Sequence, residues 1–510
     1  MLRPIRLTLP VSHRPKTGLL TAFQGGAGLA WVRFAHARSD FPQAYAKCLP
    51  LTNTTAPRRK KVLPTLAFRA PFKLNGGMSS IRHVATEVHL NLNVRGMKPS
   101  ATVAINERSD ALRREGRQVF KLGLGQSPFP VPAPVVEELR ANAFQKDYLP
   151  VKGLPALREA VADYHRRRQG VQGTAENVLI GPGSKELMFL LQLVFYGDIL
   201  IPTPAWVSYA PQARILGRNI HWLHTERESG YRLMPAQLAE LCEADPKRPR
   251  VLILNYPSNP TGLTYSQSEL EELARVAAQH RIVLLSDEIY GELNFEGRHV
   301  SIARFYPEGT IISSGLSKWC GAGGWRLGTF MFPRDLSWLQ SAMASVGSET
   351  YTATSAPIQF AAVRAFKGGT DIEEYLVLAR RVLSALGRWC AERLNAAGAN
   401  VPLPQGAFYL FPEFSGLREK LRARKIRNSA QLCERLLSET GVAVLPGSDF
   451  GRAPEELSAR LAYVDFDGAR ALAAAREIAP ENGLDETFLR EIAPNVTTAM
   501  DRMVQWLHQP

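Results

Sequence analysis

Cysteine is scarce in this chain. Cys48, Cys242, Cys320, Cys390 and Cys433 are the whole complement, widely scattered, with no CxxC pair and no accompanying histidine spacing. An odd set spread in this way excludes a disulfide framework and a zinc site and suits a reducing compartment. Long hydrophobic runs are also missing. GLLTAFQGGAGLAWV (18–32) comes nearest, but Gln24 interrupts it, Arg33 and Arg38 follow at once, and it is too short and weakly apolar for a membrane span. No membrane partner is expected. Acidic residues are what the first 80 positions lack. Asp40 stands alone there against thirteen Lys and Arg, whereas the rest of the chain holds 49 basic and 46 acidic side chains. The formal charge of +15 therefore belongs to a leader, and the body is nearly balanced.

Residues 1–80 show scattered Pro and Gly and no sustained apolar period of 3.6 or 2.0. Rich in Arg and Lys, they read as an organellar transit peptide or as an over-extended start ahead of Met78. A basic DNA-binding segment in front of an effector domain is a third use, but no helix-turn-helix pattern is present. No nucleic-acid partner is expected.

From about residue 90 short apolar runs alternate with helical patterns. NVLIG (177–181), DILIP (198–202), VLILN (251–255), IVLLSDE (282–288) and TIISS (310–314) are β-branched and apolar at successive positions, as in strands buried on both faces of a parallel sheet. Between them lie segments such as SQSELEELARVAAQH (266–280), opened by a serine and periodic in Leu and Ala. This alternation predicts a doubly wound α/β core. Residues 370–510 read differently: a long helix is followed by strand-like GAFYLF, VAVLP and LSARLAYVDF, which predicts a smaller α+β domain.

Four strand ends carry candidate chemistry. In NVLIGPGSKELMFLLQL a strand turns through Gly181, Pro182 and Gly183 into a helix at Ser184, whose free N–H groups can hold a phosphate; a plain βα connection is the alternative. NYPSNPTG (255–262) places Asn259 in a proline turn at a strand's carboxyl end, where ligands of α/β sheets bind, or serves only as a turn. Asp287 ends the apolar run LLSD with Tyr290 three positions on; a carboxylate buried there needs a cation or strong donor, while a helix cap is the alternative. SGLSKWCGAGGWRLG (314–328) brackets a glycine-rich loop with Lys318 and Arg326, a lysine able to bond an aldehyde and an arginine able to grip a phosphate. Together they call for one ligand with an aldehyde, a phosphate, a ring hydroxyl and a basic ring nitrogen, the groups of pyridoxal phosphate.

With these motifs in this order, residues 92–508 resemble the class I aminotransferases of the aspartate aminotransferase fold. The resemblance implies fold type I, with an N-terminal arm and part of the small domain over 81–130, a large cofactor domain over 131–369 and a C-terminal small domain over 370–510. It implies that Lys318 bonds the cofactor, Arg326 binds its phosphate, Asp287 pairs with the ring nitrogen, and Tyr290 and Asn259 meet the ring hydroxyl. Gly183, Ser184 and Lys185 match the phosphate-binding helix start, Ser317 a further phosphate contact, and Trp206 the aromatic that stacks on the ring. Gly125 and Arg460 match the groups that receive the substrate's α-carboxylate. Tyr148 matches a tyrosine that reaches the neighbouring subunit's cofactor, which implies a homodimer. Two departures stand out. Gly315 replaces a serine that many relatives use on the phosphate, and the helix ELMFLLQLVF has no basic residue for a second carboxylate, which leaves the donor open. NVRGMKPSATVAI resembles the arm of the subgroup that includes aspartate and prephenate aminotransferases.

The expected reaction is ping-pong transfer of an amino group from an L-amino acid to a 2-oxo acid in amino-acid metabolism, in the cytoplasm or, if the leader is a transit peptide, an organelle. A C–S lyase on the same fold and a transcription regulator with an aminotransferase-like domain are the other readings.

Overall fold

Strands form where the sequence places short β-branched apolar runs. After the short β1 (Phe120–Lys121), seven strands build the main sheet: β2 (Val178–Gly181), β3 (Asp198–Thr203), β4 (Ile220–His224), β5 (Arg250–Asn255), β6 (Val283–Asp287), β7 (Thr310–Gly315) and β8 (Gly328–Met331). They lie in the order β2-β8-β7-β6-β5-β3-β4 in the computed structural model. Neighbours are parallel except for β8, which runs antiparallel to both β2 and β7. The expected doubly wound α/β class is what the chain adopts. β4 and β8 escape a search for apolar runs, because IHWLH mixes histidines with apolar residues and GTFM is short.

Alternation along each strand explains the layers. In β3, Ile199 and Ile201 pack with Leu187 and Leu191 of the helix Ser184–Val194, while Leu200 packs on the opposite face with Leu270 and Leu273 of the helix Gln267–Gln279. β5 repeats the division, Val251 and Ile253 on one side, Leu252 and Leu254 on the other. Successive side chains of a strand point to opposite faces, so a run that is apolar at every position needs helices on both sides. Each such side chain, fully buried, contributes about 1.5–3 kcal/mol. The helix Gln267–Gln279 begins at the expected serine: Ser266 accepts from the Glu269 N–H, and Glu269 accepts from the Ser266 N–H.

The C-terminal part holds the 27-residue helix Thr370–Ala396 and the strands β9 (Tyr409–Leu410), β10 (Val442–Ala443), β11 (Leu445–Pro446) and β12 (Ala459–Ala462). β11, β12 and β9 form a small antiparallel sheet, and β10 pairs in parallel with β1, joining the chain before the main sheet to its C-terminal part. The structure describes residues 89–510, all within the unit Thr86–Pro510; the leader, Met78 and Cys48 lie outside the described residues. Among the described residues Cys242, Cys320, Cys390 and Cys433 are free and buried, no group of side chains suits a metal ion, and no helix is long and apolar enough to cross a membrane.

Candidate active site

Parallel strands present their carboxyl ends on one edge of the sheet, and there Asn255, Asp287 and Ser313 lie side by side in register. Asp287, the last residue of β6, is 3% exposed. Tyr209 Oη donates to its Oδ2 at 2.5 Å, and Ser313 Oγ to its Oδ1 at 3.4 Å. Burial pushes its pKa up to about 6, against the pull of the Tyr209 hydroxyl, the Ile289 N–H, the Ser313 hydroxyl and the Lys318 charge. Among the described residues no cation forms an ion pair with it, which suits it to a protonated ring nitrogen.

Lys318 follows β7 by three residues. Its Nζ donates to the Gly125 carbonyl at 2.8 Å and lies 5.6 Å and 5.8 Å from the ring centroids of Tyr290 and Phe408. Burial first, then the Arg460 charge, lowers its pKa to about 8, so an appreciable share is free amine near neutral pH. Ser317, just before it, is half-buried.

The glycine-rich loop closes on the start of the helix Ser184–Val194. Arg326, at φ +55°, donates to the Gly323 carbonyl at 3.0 Å and the Pro182 carbonyl at 3.3 Å. Gly183, at φ +92°, leaves room for that guanidinium: a Cβ there would lie 2.2 Å from Arg326 Nη2. Lys185 Nζ sits 5.0 Å from the ring centroid of Trp206; desolvation and then the Arg326 charge lower its pKa. Trp206 meets Tyr209 edge-on at 5.3 Å.

Arg460, in β12, is 1% exposed and lies over the rings of Tyr409 and Phe450 at 4.9 and 5.2 Å. It donates through Nη2 to the Gly123 carbonyl and through Nη1 to Asn259 Oδ1 at 3.4 Å, while its buried Nε has no partner. An arginine so placed is ready for a carboxylate. Tyr290 shares a 2.8 Å hydrogen bond with Tyr409 through the two hydroxyls. Gly125 makes room for Tyr409, since a Cβ at 125 would lie 1.9 Å from that hydroxyl.

Most of the expected residues thus converge. Tyr148 does not: it is 90% exposed on this chain. Gly315 has a steric reason for being glycine. It pairs with Gly328 of β8 at φ +157°, and a Cβ would lie 2.6 Å from the Leu327 carbonyl oxygen, so the adjacent strand occupies the space a serine would need. Three residues of the site escape sequence reasoning: Tyr209, Asn255 and Tyr409. Asn255 could have been suspected because it ends the strand that leads into the proline turn; the tyrosines sit in ordinary aromatic runs, WVSY and GAFYLF.

The side chains fit pyridoxal phosphate. A depressed lysine can bond its aldehyde, Asp287 can face its ring nitrogen, and the helix start with Lys185 and Arg326 can hold its phosphate. Fold and site together define a pyridoxal-phosphate-dependent enzyme of fold type I.

Residues 117–474 match the aminotransferase class I and II family. The aspartate/prephenate aminotransferase of Thermus thermophilus is 36% identical over 367 residues, 71% of this chain and 91% of that protein. The aspartate aminotransferase of Geobacillus stearothermophilus is 34% identical over 380 residues, 72% and 93% of the two chains. Among solved structures, the Thermus thermophilus aspartate aminotransferase with maleate superposes with a TM-score of 0.70 at 31% identity, covering 82% of this chain and all of that one. The chain belongs to the class I and II aminotransferase family. It is a pyridoxal-phosphate-dependent transaminase that moves an amino group from an amino acid to a 2-oxo acid. These matches favour neither the lyase nor the regulator reading.

Proposed function

We propose that Lys318, Asp287 and Arg460 carry this transamination and that the amino donor is a dicarboxylic amino acid such as aspartate. The observation that carries the catalytic assignment is the half-buried Lys318 amine, its pKa lowered by desolvation first and then by the Arg460 charge, with Asp287, Lys185 and Arg326 acting on it as well. Pyridoxal phosphate, when bound, supplies an aldehyde for amines and a ring that accepts electrons from the substrate's Cα. Arg460 docks the incoming α-carboxylate through a two-pronged contact, with Asn259 beside it, and Gly125 adds its backbone to that carboxylate's site. Asp287 stays ionised and holds the proton on the ring nitrogen. Lys318, as free amine, would take the proton from the substrate's Cα and hold it on Nζ as general base and acid. Tyr290 and Asn259 would face the ring hydroxyl, Trp206 would cover the ring, and Gly183, Ser184, Lys185, Ser317 and Arg326 would hold the phosphate.

A dicarboxylic donor is supported by a cavity of about 1000 Å³ beside Trp206 and Lys185, whose lining includes Arg95, Lys98, Arg214 and Arg452 against Glu186 and Asp449. The helix after Lys185 has no basic residue, so a second carboxylate would turn to these cations of the arm and loops. The exposed Tyr148 and Phe144 support a homodimer in which Tyr148 completes the partner's phosphate site. The separate main and C-terminal sheets support a large domain over 131–369 and a small domain over 370–510, and the β1–β10 pairing supports counting the described part of 81–130 with the small one. Four free thiols among the described residues support a reducing compartment such as the cytoplasm or an organelle interior. The test is a donor and acceptor screen on the cofactor-loaded protein, read from its visible absorbance. Aspartate should convert the aldehyde form to the amine form and oxaloacetate should reverse it; no response to any amino acid would sink the catalytic assignment, and a response confined to neutral donors would sink the dicarboxylic one.

A further inference from the structure

Asn255 ends β5 level with Asp287, the end of β6. Both ends of its amide are engaged. Nδ2 donates to the Asp287 carbonyl oxygen at 2.8 Å, and Oδ1 accepts from the Asn259 N–H at 2.7 Å. Asn259 in turn receives Arg460 Nη1 on its own Oδ1 at 3.4 Å. Hydrogen bonds through the Asp287 carbonyl, the Asn255 amide and the Asn259 backbone and side chain therefore join the residue suited to the ring nitrogen, the turn suited to the ring hydroxyl and the arginine suited to the substrate's carboxylate. An amide is the side chain for this place, since it must donate to a carbonyl on one side and accept from an N–H on the other. Within the turn, the Gly262 N–H donates to the Ser258 carbonyl and the Ser258 N–H to the Leu263 carbonyl, so these bonds close the loop on itself. Asn255 ties that loop to the neighbouring strand.

We propose that Asn255 is a positioning residue: it sets Asn259, and through it Arg460, at a fixed place relative to Asp287, so that cofactor ring and substrate carboxylate share one frame. The inference rests on the roles given above to Asp287, Asn259 and Arg460. Its test compares wild type, Asn255→Ala and Asn255→Asp as cofactor-loaded enzymes. The alanine removes both contacts; the aspartate keeps the acceptor for the Asn259 N–H but sets an oxygen against the Asp287 carbonyl. With Asn259 displaced, the ring oxygen loses a donor that draws charge from it. The pH midpoint of the visible absorbance should then rise by about half to one unit. The KM for the amino acid should rise about tenfold, with a smaller change in kcat. Should Asn255→Ala not fold, Asn255→Asp carries the test. Variants with lowered melting temperature but wild-type pH midpoint and KM overturn the inference and leave Asn255 a structural residue. A wild-type enzyme whose absorbance ignores every amino acid overturns instead the site reading beneath it, and the inference with it.

Discussion

Replacing Tyr209 by phenylalanine removes one hydroxyl from the interior of the site. That hydroxyl donates to Asp287 Oδ2 at 2.5 Å, and both residues are buried. A hydrogen bond to an ionised group contributes about 1.5–3 kcal/mol, one between neutral groups about 0.5–1.5 kcal/mol. Its loss therefore disfavours ionised Asp287 by about 1–1.5 kcal/mol more than the protonated form, which raises the pKa by roughly one unit from its value of about 6. The sign of the pH effect follows. The folded-state pKa of Asp287 lies above the unfolded value of 3.8, so the folded protein holds this proton more tightly. In the cofactor-free protein this group lowers stability as pH rises from about 4 to above 6, by about 3 kcal/mol in all. In Tyr209→Phe the decline should continue to about pH 7 and deepen by about 1–1.5 kcal/mol. Denaturant unfolding of the cofactor-free protein at pH 5 and pH 8 measures this, with Asp287→Asn and the double variant as controls. Tyr209→Phe should cost more at pH 8 than at pH 5, and the difference should vanish on the Asp287→Asn background. A cost that is independent of pH, or a pH dependence that survives in the double variant, would refute the coupling.

Three other outcomes are expected. Lys318→Ala should retain cofactor yet lose steady turnover by about 10²-fold or more, the usual scale of general acid–base catalysis; full activity would remove Lys318 from the mechanism. Arg460→Lys should lower kcat/KM by about 10–100-fold, mostly through KM, because a lysine keeps the charge but not the fork; a change under twofold would show that the carboxylate binds elsewhere. In Gly183→Ala the methyl would meet Arg326 Nη2 in a backbone conformation that L-residues avoid, so cofactor affinity should fall about tenfold or more by fluorescence titration. An unchanged dissociation constant would separate the Gly183 turn from the phosphate site.

Much of the site was legible because its chemistry sits at strand ends, and strand ends are marked locally. VLILN and IVLLSD announce buried strands by their apolar runs, and Asp287, at the end of one, is where the sheet delivers a side chain, while Asn255, at the end of the other, escapes sequence reasoning. β8 was not legible, since GTFM has no pattern of its own and becomes a strand by pairing between β2 and β7. Gly315 shows the same divide. Its departure from the family pattern is visible in the sequence, but only the backbone of Leu327 beside it explains why a side chain is excluded. Tyr209 and Tyr409 read as ordinary aromatics until folding sets one against Asp287 and the other against Tyr290.

The sequence by itself determined the alternation of strand and helix, the doubly wound class and the residue types the chemistry needs: an amine, two guanidinium groups, a carboxylate and an amide. Those are properties of neighbouring residues, of side-chain period and functional group. Tertiary structure decided that Lys318 donates to Gly125, 193 residues away, that Asp287 is pushed up to about 6 and Lys318 down to about 8, and that Asn255 joins Asp287 to Asn259. Burial and pairwise distance set these, and both arise only when segments distant in sequence pack together.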